Sequence, residues 1–322
     1  MDFESCFSQA RYLLTEGALV ERLKSEYNLT MDRYVNHAGL IYDSEHRLSD
    51  LYCEYIETAR KYRLPILLMT PTRRVNFESH RQSAFRDKDL LSDSCTYLEQ
   101  VRDRFPDYAD KIFIGGLLGC KGDAYNAAEA LDKETAFRFH SIQVRQFEQT
   151  NVDFLFAGIM PALSEALGMA QAMATAELPY IISFMVRKDG MLLDKTPIAE
   201  AIRIIDSQTH RQPLCYMANC IHPANLRLAL ETTPNAGSLH INRFCGIQAN
   251  ASPLSPEELN NCCKLHQSNF DEMVDNMEYL AQKHRLKILG GCCGTDNSFI
   301  EKLSERLISL EKIEKEIRSS IV

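Results

Sequence analysis

Residues 286–296 read LKILGGCCGTD. A short apolar run ends in Gly290 and Gly291, and two adjacent cysteines, Cys292 and Cys293, follow before Gly294. An apolar run of this length, stopped by glycine, reads as a buried strand that ends in a loop. Neighbouring side chains on a strand point to opposite faces, so two adjacent thiols do not normally meet. Glycine reaches backbone conformations closed to other residues. Gly290, Gly291 and Gly294 are therefore read as letting the chain turn and swing both sulfurs toward one point. A disulfide between the two is disfavoured, because consecutive Cα atoms lie about 3.8 Å apart and disulfides span about 4.4–6.8 Å.

The same kind of run recurs upstream, at 11–15, 64–70, 111–119, 152–158, 179–186, 213–220 and 239–247. Stretches of helical period separate these runs, among them 50–63, 134–149, 164–176, 198–206 and 223–231. Residues 255–284 read as one long helix with Ser255 and Pro256 at its cap and first turn, and a terminal helix starts near Ser298. With 286–291 there are eight strand candidates. Strands alternating with helices imply a parallel sheet, and eight of them suggest an α/β fold, the (β/α)8 TIM barrel. A doubly wound sheet gives the same alternation. No Pro-, Gly- or Ser-rich linker and no repeat divides the chain, so a single domain over 1–322 is expected.

Composition bounds the partners. The chain is 45% hydrophobic and 25% charged, as in ordinary globular proteins. Its net charge of −8 argues against nucleic acid or an anionic membrane surface, and the basic stretch PTRRVN (71–76) reads as local. No signal-peptide core and no apolar run of about 18 residues is present, which predicts a cytoplasmic protein without a membrane span. Eleven cysteines without a secretory signal point to free thiols, most of them plain core residues. The oligomeric state is not legible.

A second pair, Cys262 and Cys263 in NNCCKL, lacks glycine and sits in a helical setting, where neighbouring side chains diverge. That pair reads as packing. If Cys292 and Cys293 converge, their thiolates repel, and a soft cation is the natural remedy. Zinc takes sulfur ligands, and catalytic sites commonly combine three protein ligands with one open position. YMANCIHP (216–223) supplies a third sulfur, Cys220, where an apolar strand meets a Pro-containing loop. The sixth and eighth strand ends of a barrel lie close on one rim. His222 competes as ligand but lies past the strand end.

These residues resemble the homocysteine S-methyltransferase family, whose three corresponding cysteines bind zinc on a (β/α)8 barrel. The resemblance rests on "NC" after a strand and on GGCCGT late in the chain, with support from FIGGLLG (113–119), ISFMVRKDGMLLDKTPIAEAI (182–202) and RFCGIQANASPLSPEEL (243–259). It covers most of the chain from about residue 50. The departures are informative. Where the family begins with Asp-Gly-Gly-x-Gly-Thr, this chain has TEGALVERL (15–23), with Glu16 for Asp, Gly17 retained and the second Gly-Thr missing. Where a family Glu after the fourth strand binds the substrate ammonium, FAGIMP (156–161) places Gly158. Glu16 is the candidate replacement and Glu165 a more distant one. GTDNSFI (294–300) also lacks the Pro and His that usually follow GGCCGT.

The resemblance implies a zinc-dependent thiol S-methyltransferase acting on two small molecules, a thiol and a methyl donor. Homocysteine would become methionine, with S-methylmethionine or S-adenosylmethionine favoured over betaine as donor; a folate or cobalamin donor would require further domains. Cys220, Cys292 and Cys293 would hold Zn2+, and Glu16, Gly17, Thr72 and Asn219 would bind substrate. Thr70 pairs with Thr72 in MTPT, Ser183 reads as packing, and His37 and His222 read as surface residues. The alternatives are a barrel with altered thiol or lost catalysis that acts as a binding or regulatory protein, and a metal-free α/β enzyme with incidental cysteines.

Overall fold

The computed structural model describes residues 1–255, 258 and 268–320. Each apolar run becomes a strand: β1 Leu13–Thr15, β2 Ile66–Met69, β3 Ile112–Gly119, β4 Phe154–Met160, β5 Tyr180–Phe184, β6 Cys215–Ile221, β7 Phe244–Ala249 and β8 Ile288–Gly291. All are parallel and neighbour one another in chain order. β8 pairs back on β1, with Leu13 opposite Ile288, which closes the barrel and rules out an open doubly wound sheet.

The helices are α1 Phe3–Gln9, α2 Val20–Ser25, α3 Arg47–Tyr62, α4 Phe77–Gln82, α5 Leu90–Asp103, α6 Lys133–Phe147, α7 Leu163–Met173, α8 Ile198–Gln208, α9 Pro223–Glu231, α10 Phe270–Lys283 and α11 Asn297–Ser320. α3 shows why they form. Leu51, Tyr55, Ile56 and Ala59 recur at helical spacing and are fully buried against the barrel. Arg63, in the left-handed region, ends the helix by donating its N–H to the Ala59 and Arg60 carbonyls. Among the described residues no helix is long and apolar enough to cross a membrane.

Two boundaries differ from expectation. Leu239–Arg243 forms a 3-10 turn, not the start of β7, and Leu239 is 81% exposed, so it has no core to enter. The single helix expected over 255–284 is interrupted. Ser255 and Glu258 do exchange capping hydrogen bonds, but Asn269 is extended and caps a new helix, α10, by accepting from the Asp271 N–H. Cys262 and Cys263 lie outside the described residues.

Alternation along the strands divides the core. Leu13, Leu67, Met69, Phe113, Phe154, Phe156, Ile181, Met217 and Ile288 fill the barrel, and Leu14, Leu68, Leu118, Leu155, Ala157 and Ile182 pack outward in the helical layer. α1 folds under the barrel, where Phe3 stacks on Phe154 with ring centroids 4.4 Å apart and meets Phe113 at 5.5 Å. Burying such a ring contributes about 2–3 kcal/mol. The floor is therefore apolar and closed, and polar chemistry is left to the opposite, C-terminal rim.

Gly290 is where fold and rim meet. A Cβ there would stand 2.0 Å from Thr15 Oγ1 and 2.7 Å from the Thr15 carbonyl oxygen, so β1 and β8 approach closely only because the side chain is absent. Gly290→Ala is expected to lose about 1–3 kcal/mol of stability by overpacking, read as a lower denaturant midpoint at unchanged slope.

Candidate metal centre

Cys220, Cys292 and Cys293 converge at the C-terminal rim. Their three sulfurs lie within 4.8 Å of one another, with Cys292 and Cys293 at 4.0 Å. Cys220 is buried and the other two are half-buried. The backbone that achieves this is unusual on β6. Register slips between Asn219 and Ile221, and Cys220 between them takes a left-handed φ of +58°. That conformation costs a non-glycine residue about 1 kcal/mol or more and marks a position that its surroundings over-determine. β4 repeats the device, with a slip between Ala157 and Met160 and Ile159 at φ +58°.

Asn219 joins the two irregularities. Its Oδ1 accepts from the Ile159 N–H at 3.0 Å, and its Nδ2 donates to the Gln248 side chain on β7. One carboxamide thus reaches β4 and β7 from β6. On the other side, the Cys292 N–H donates to Ala249 O at 2.7 Å, the Ala251 N–H to Cys293 O at 2.9 Å, and Thr295 Oγ1 to Cys292 O at 2.7 Å. The Gly294 N–H donates to Glu21 on α2. Gly294 alone of the three glycines near the pair has positive φ, at +76°. Gly290 and Gly291 serve close packing instead of turning, because they remain within β8.

Around the sulfurs, Asn250 Nδ2 donates to Cys220 Sγ at 3.3 Å and the Tyr125 hydroxyl lies 3.8 Å from the same atom. Met185, Leu193, Ala127 and Ile159 complete an apolar collar. Hydrogen bonds from Cys292 and Cys293 pull the Cys220 thiol well below its ordinary pKa; the same hydrogen bonds to Cys220 push Cys292 and Cys293 up, and its charge pushes Tyr125 up. The cluster by itself accommodates one negative charge and resists a second. Three sulfurs that ionise together need a cation among them. A soft divalent metal fits this donor set.

A model of the homocysteine S-methyltransferase family matches residues 13–307. The chain belongs to this family. It is an S-methyltransferase built on the family's barrel. Among solved structures it resembles the Escherichia coli homocysteine methyltransferase MmuM. The metallated form is 17% identical with a TM-score of 0.74, covering 94% of this chain and 98% of that one. The oxidized form is 18% identical with a TM-score of 0.73, and the apo form 17% identical with 0.68, each covering 93% of this chain and 97% of the other. At this identity the likeness concerns the fold. No curated protein matches the chain.

The remaining residues singled out in the sequence fare differently within the family barrel. Glu16 follows β1 and is 5% exposed; its Oε1 accepts from the Met69 N–H at 3.3 Å, and its Oε2 is buried without a partner. Burial raises its carboxyl to about 8. Gly17 lies under the Tyr55 ring, whose hydroxyl would stand 2.7 Å from a Cβ. Thr72 donates to Leu117 O at 2.7 Å and meets Thr70 Oγ1 at 2.8 Å, while Thr70 accepts from the Leu117 N–H at 2.9 Å. The two threonines clip β2 to β3.

Glu165 is not available to an ammonium. Fully buried, it accepts from the Lys121 and Leu131 N–H groups at 2.7 and 3.1 Å and meets His140 Nε2 at 3.0 Å, holding the loop that carries Tyr125. His37, at the start of a 3-10 turn, and His222, at the start of α9, are buried, not surface residues. His222 Nδ1 caps α9 by accepting from the Ala224 N–H at 3.3 Å, and the residue stays outside the sulfur cluster. Ser183 is buried on β5 with its Oγ unpartnered. Tyr125, Glu21 and Gln248 carried no sequence signal, because only folding brings their loops and strands to the cysteines.

Two outcomes follow. Asn219→Ala should destabilise the protein by about 2 kcal/mol or more, since the Ile159 N–H and the Gln248 amide lose their partner in a buried setting. Glu16 titrates at about 8 in the fold against 4.5 ordinarily, so the stability it contributes is full below about pH 4.5 and is lost as pH rises through about 8. Glu16→Gln keeps the acceptor for Met69 and removes the ionisation. Its denaturant midpoint should depend less on pH across that window and exceed that of the parent at about pH 9.

Proposed function

We propose that this chain is a zinc-dependent thiol S-methyltransferase that converts homocysteine to methionine with an S-methylmethionine or S-adenosylmethionine type donor. The observation that carries the proposal is the meeting of Cys220, Cys292 and Cys293 within 4.8 Å at the barrel rim. These residues would hold Zn2+. Bound there, zinc would supply a soft Lewis acid, which favours the ionised, nucleophilic form of a substrate thiol.

The protein's own residues supply the rest. Asn250 orients the Cys220 sulfur by its Nδ2–H, and Tyr125 covers that sulfur from the β3–α6 loop. Asn219 keeps β4, β6 and β7 in the register that presents Cys220. Glu16, with one carboxylate oxygen buried and unpartnered, is the group assigned to the substrate ammonium in place of the carboxylate missing at Gly158. An ammonium beside it would restore the charge that burial suppresses. Gly17 and Thr72 line the same side of the rim, between β1 and β3.

The decisive measurement is metal content followed by turnover. Purified protein should carry about one zinc per chain, and Cys292→Ser should lose most of it. With zinc present, homocysteine and S-methylmethionine should give methionine by mass spectrometry. Zinc-loaded protein that methylates no thiol with either sulfonium donor would sink the proposal. Glu16→Gln should raise KM for homocysteine by about tenfold or more, the size expected when a charge-assisted contact is lost.

A further inference from the structure

The basic stretch PTRRVN is not absorbed by the site described so far, and its position is informative. Arg73 and Arg74 follow β2 on the rim loop that leads into α4. Among the described residues neither guanidinium is paired with a carboxylate, although the chain carries a net charge of −8. The neighbouring Lys121 shows the contrast, since it meets Glu78 at 3.2 Å. Arg73 is half-buried, so its lack of a partner is costlier than it would be on open surface.

Arg73 lies over the mouth-facing side of β3. Leu117 packs into the barrel interior and Leu118 outward, so Gly119, at the strand end, faces inward again. A Cβ on Gly119 would stand 2.4 Å from Arg73 O and 2.8 Å from Arg73 Cγ, so the arginine stem occupies the space a side chain would fill. Gly119 pairs in register with Gly158 of β4, whose own Cβ would meet Leu117 Cδ1 at 2.8 Å. Next to the strand that lacks the expected carboxylate at Gly158, the wall therefore carries the stem of an arginine that pairs with no carboxylate among the described residues. His37 adds to the character of this side. It is 7% exposed, its Nδ1 has no partner, and burial together with nearby Arg73 keeps it neutral, with its pKa lowered to about 3.

We infer that Arg73 receives a substrate carboxylate at the rim between β2 and β4, with Arg74 adding positive charge, so that the bare wall of Gly119 and Gly158 binds the anionic end of an amino-acid ligand. This deepens the methyl-transfer reading and rests on it. Glu16 after β1 and Arg73 after β2 then offer opposite charges to the two ends of one zwitterion. The carboxylate belongs to the thiol or to the donor, both of which are amino acids.

Calorimetric binding to the zinc-loaded protein separates the cases. The probes are homocysteine and 3-aminopropane-1-thiol, which lacks the carboxylate, and S-methylmethionine and its decarboxylated sulfonium. The parent should bind homocysteine at least about tenfold more tightly than the aminothiol, and Arg73→Gln should abolish that preference while leaving aminothiol binding and zinc content unchanged. Arg73→Lys should restore part of it. A loss confined to S-methylmethionine assigns the contact to the donor. Equal weakening of carboxylate-bearing and decarboxylated ligands, or no weakening of either, overturns the inference and leaves the methyl-transfer reading standing. A parent protein that binds no thiol overturns both.

Discussion

Three sulfurs from two distant parts of the chain are held within 4.8 Å, and much of the rim is organised around that proximity. Thiols so close can share one negative charge but repel a second, so their meeting must be enforced by the surrounding backbone. β6 enforces it by placing Cys220 in the left-handed region between two register positions. Asn219 then ties the adjoining irregularity of β4 and the side chain of Gln248 to the same strand. On the far side, the carbonyls and N–H groups of residues 291–295 are bonded to the loop after β1, to β7 and the residues that follow it, and to α2. Strain at one residue is thus balanced by hydrogen bonds from several elements, the usual condition for such conformations to persist at functional sites.

The barrel separates its two ends by chemistry. Below, α1 and the Phe3, Phe113 and Phe154 rings form an apolar floor that excludes water. Above, buried polar groups without protein partners gather in the rim: Glu16 Oε2, His37 Nδ1 and His222 Nε2. Unpaired buried polar atoms are costly in a folded protein, and these three, on loops that follow barrel strands, suit an end of the barrel that receives a polar ligand. The departures from the family pattern fall at this rim as well. Gly158 leaves β4 without a side chain at this level, and the stem of Arg73 crosses the adjoining glycine of β3 while the three sulfurs stay together across the rim.

Much of the architecture was legible in the chain because hydrophobic periodicity is a local property. All eight apolar runs became strands in order, and the helical stretches between them fell where their period placed them. Misreadings came where local pattern had no burial behind it, as at Leu239, or where a cap interrupted a continuous polar-apolar pattern, as at Asn269. The glycines beside Cys292 and Cys293 were correctly singled out, but only one of them turns the chain.

What the sequence alone determined was the set of donors and the alternation of elements: Cys220, Cys292 and Cys293 at strand ends, in a chain whose strands and helices alternate throughout. It could not decide between a closed barrel and an open sheet, because both produce the same periodicity. Only closure of β8 on β1 chose between them. Tertiary structure also assigned the polar side chains. Glu165, Thr72 and Asn219 looked free on paper and are engaged in the fold, while Glu16 retains an unpartnered oxygen. A hydrogen-bond partner from a distant strand leaves no trace in local spacing, since each is set by the geometry of closure and not by the residues beside it.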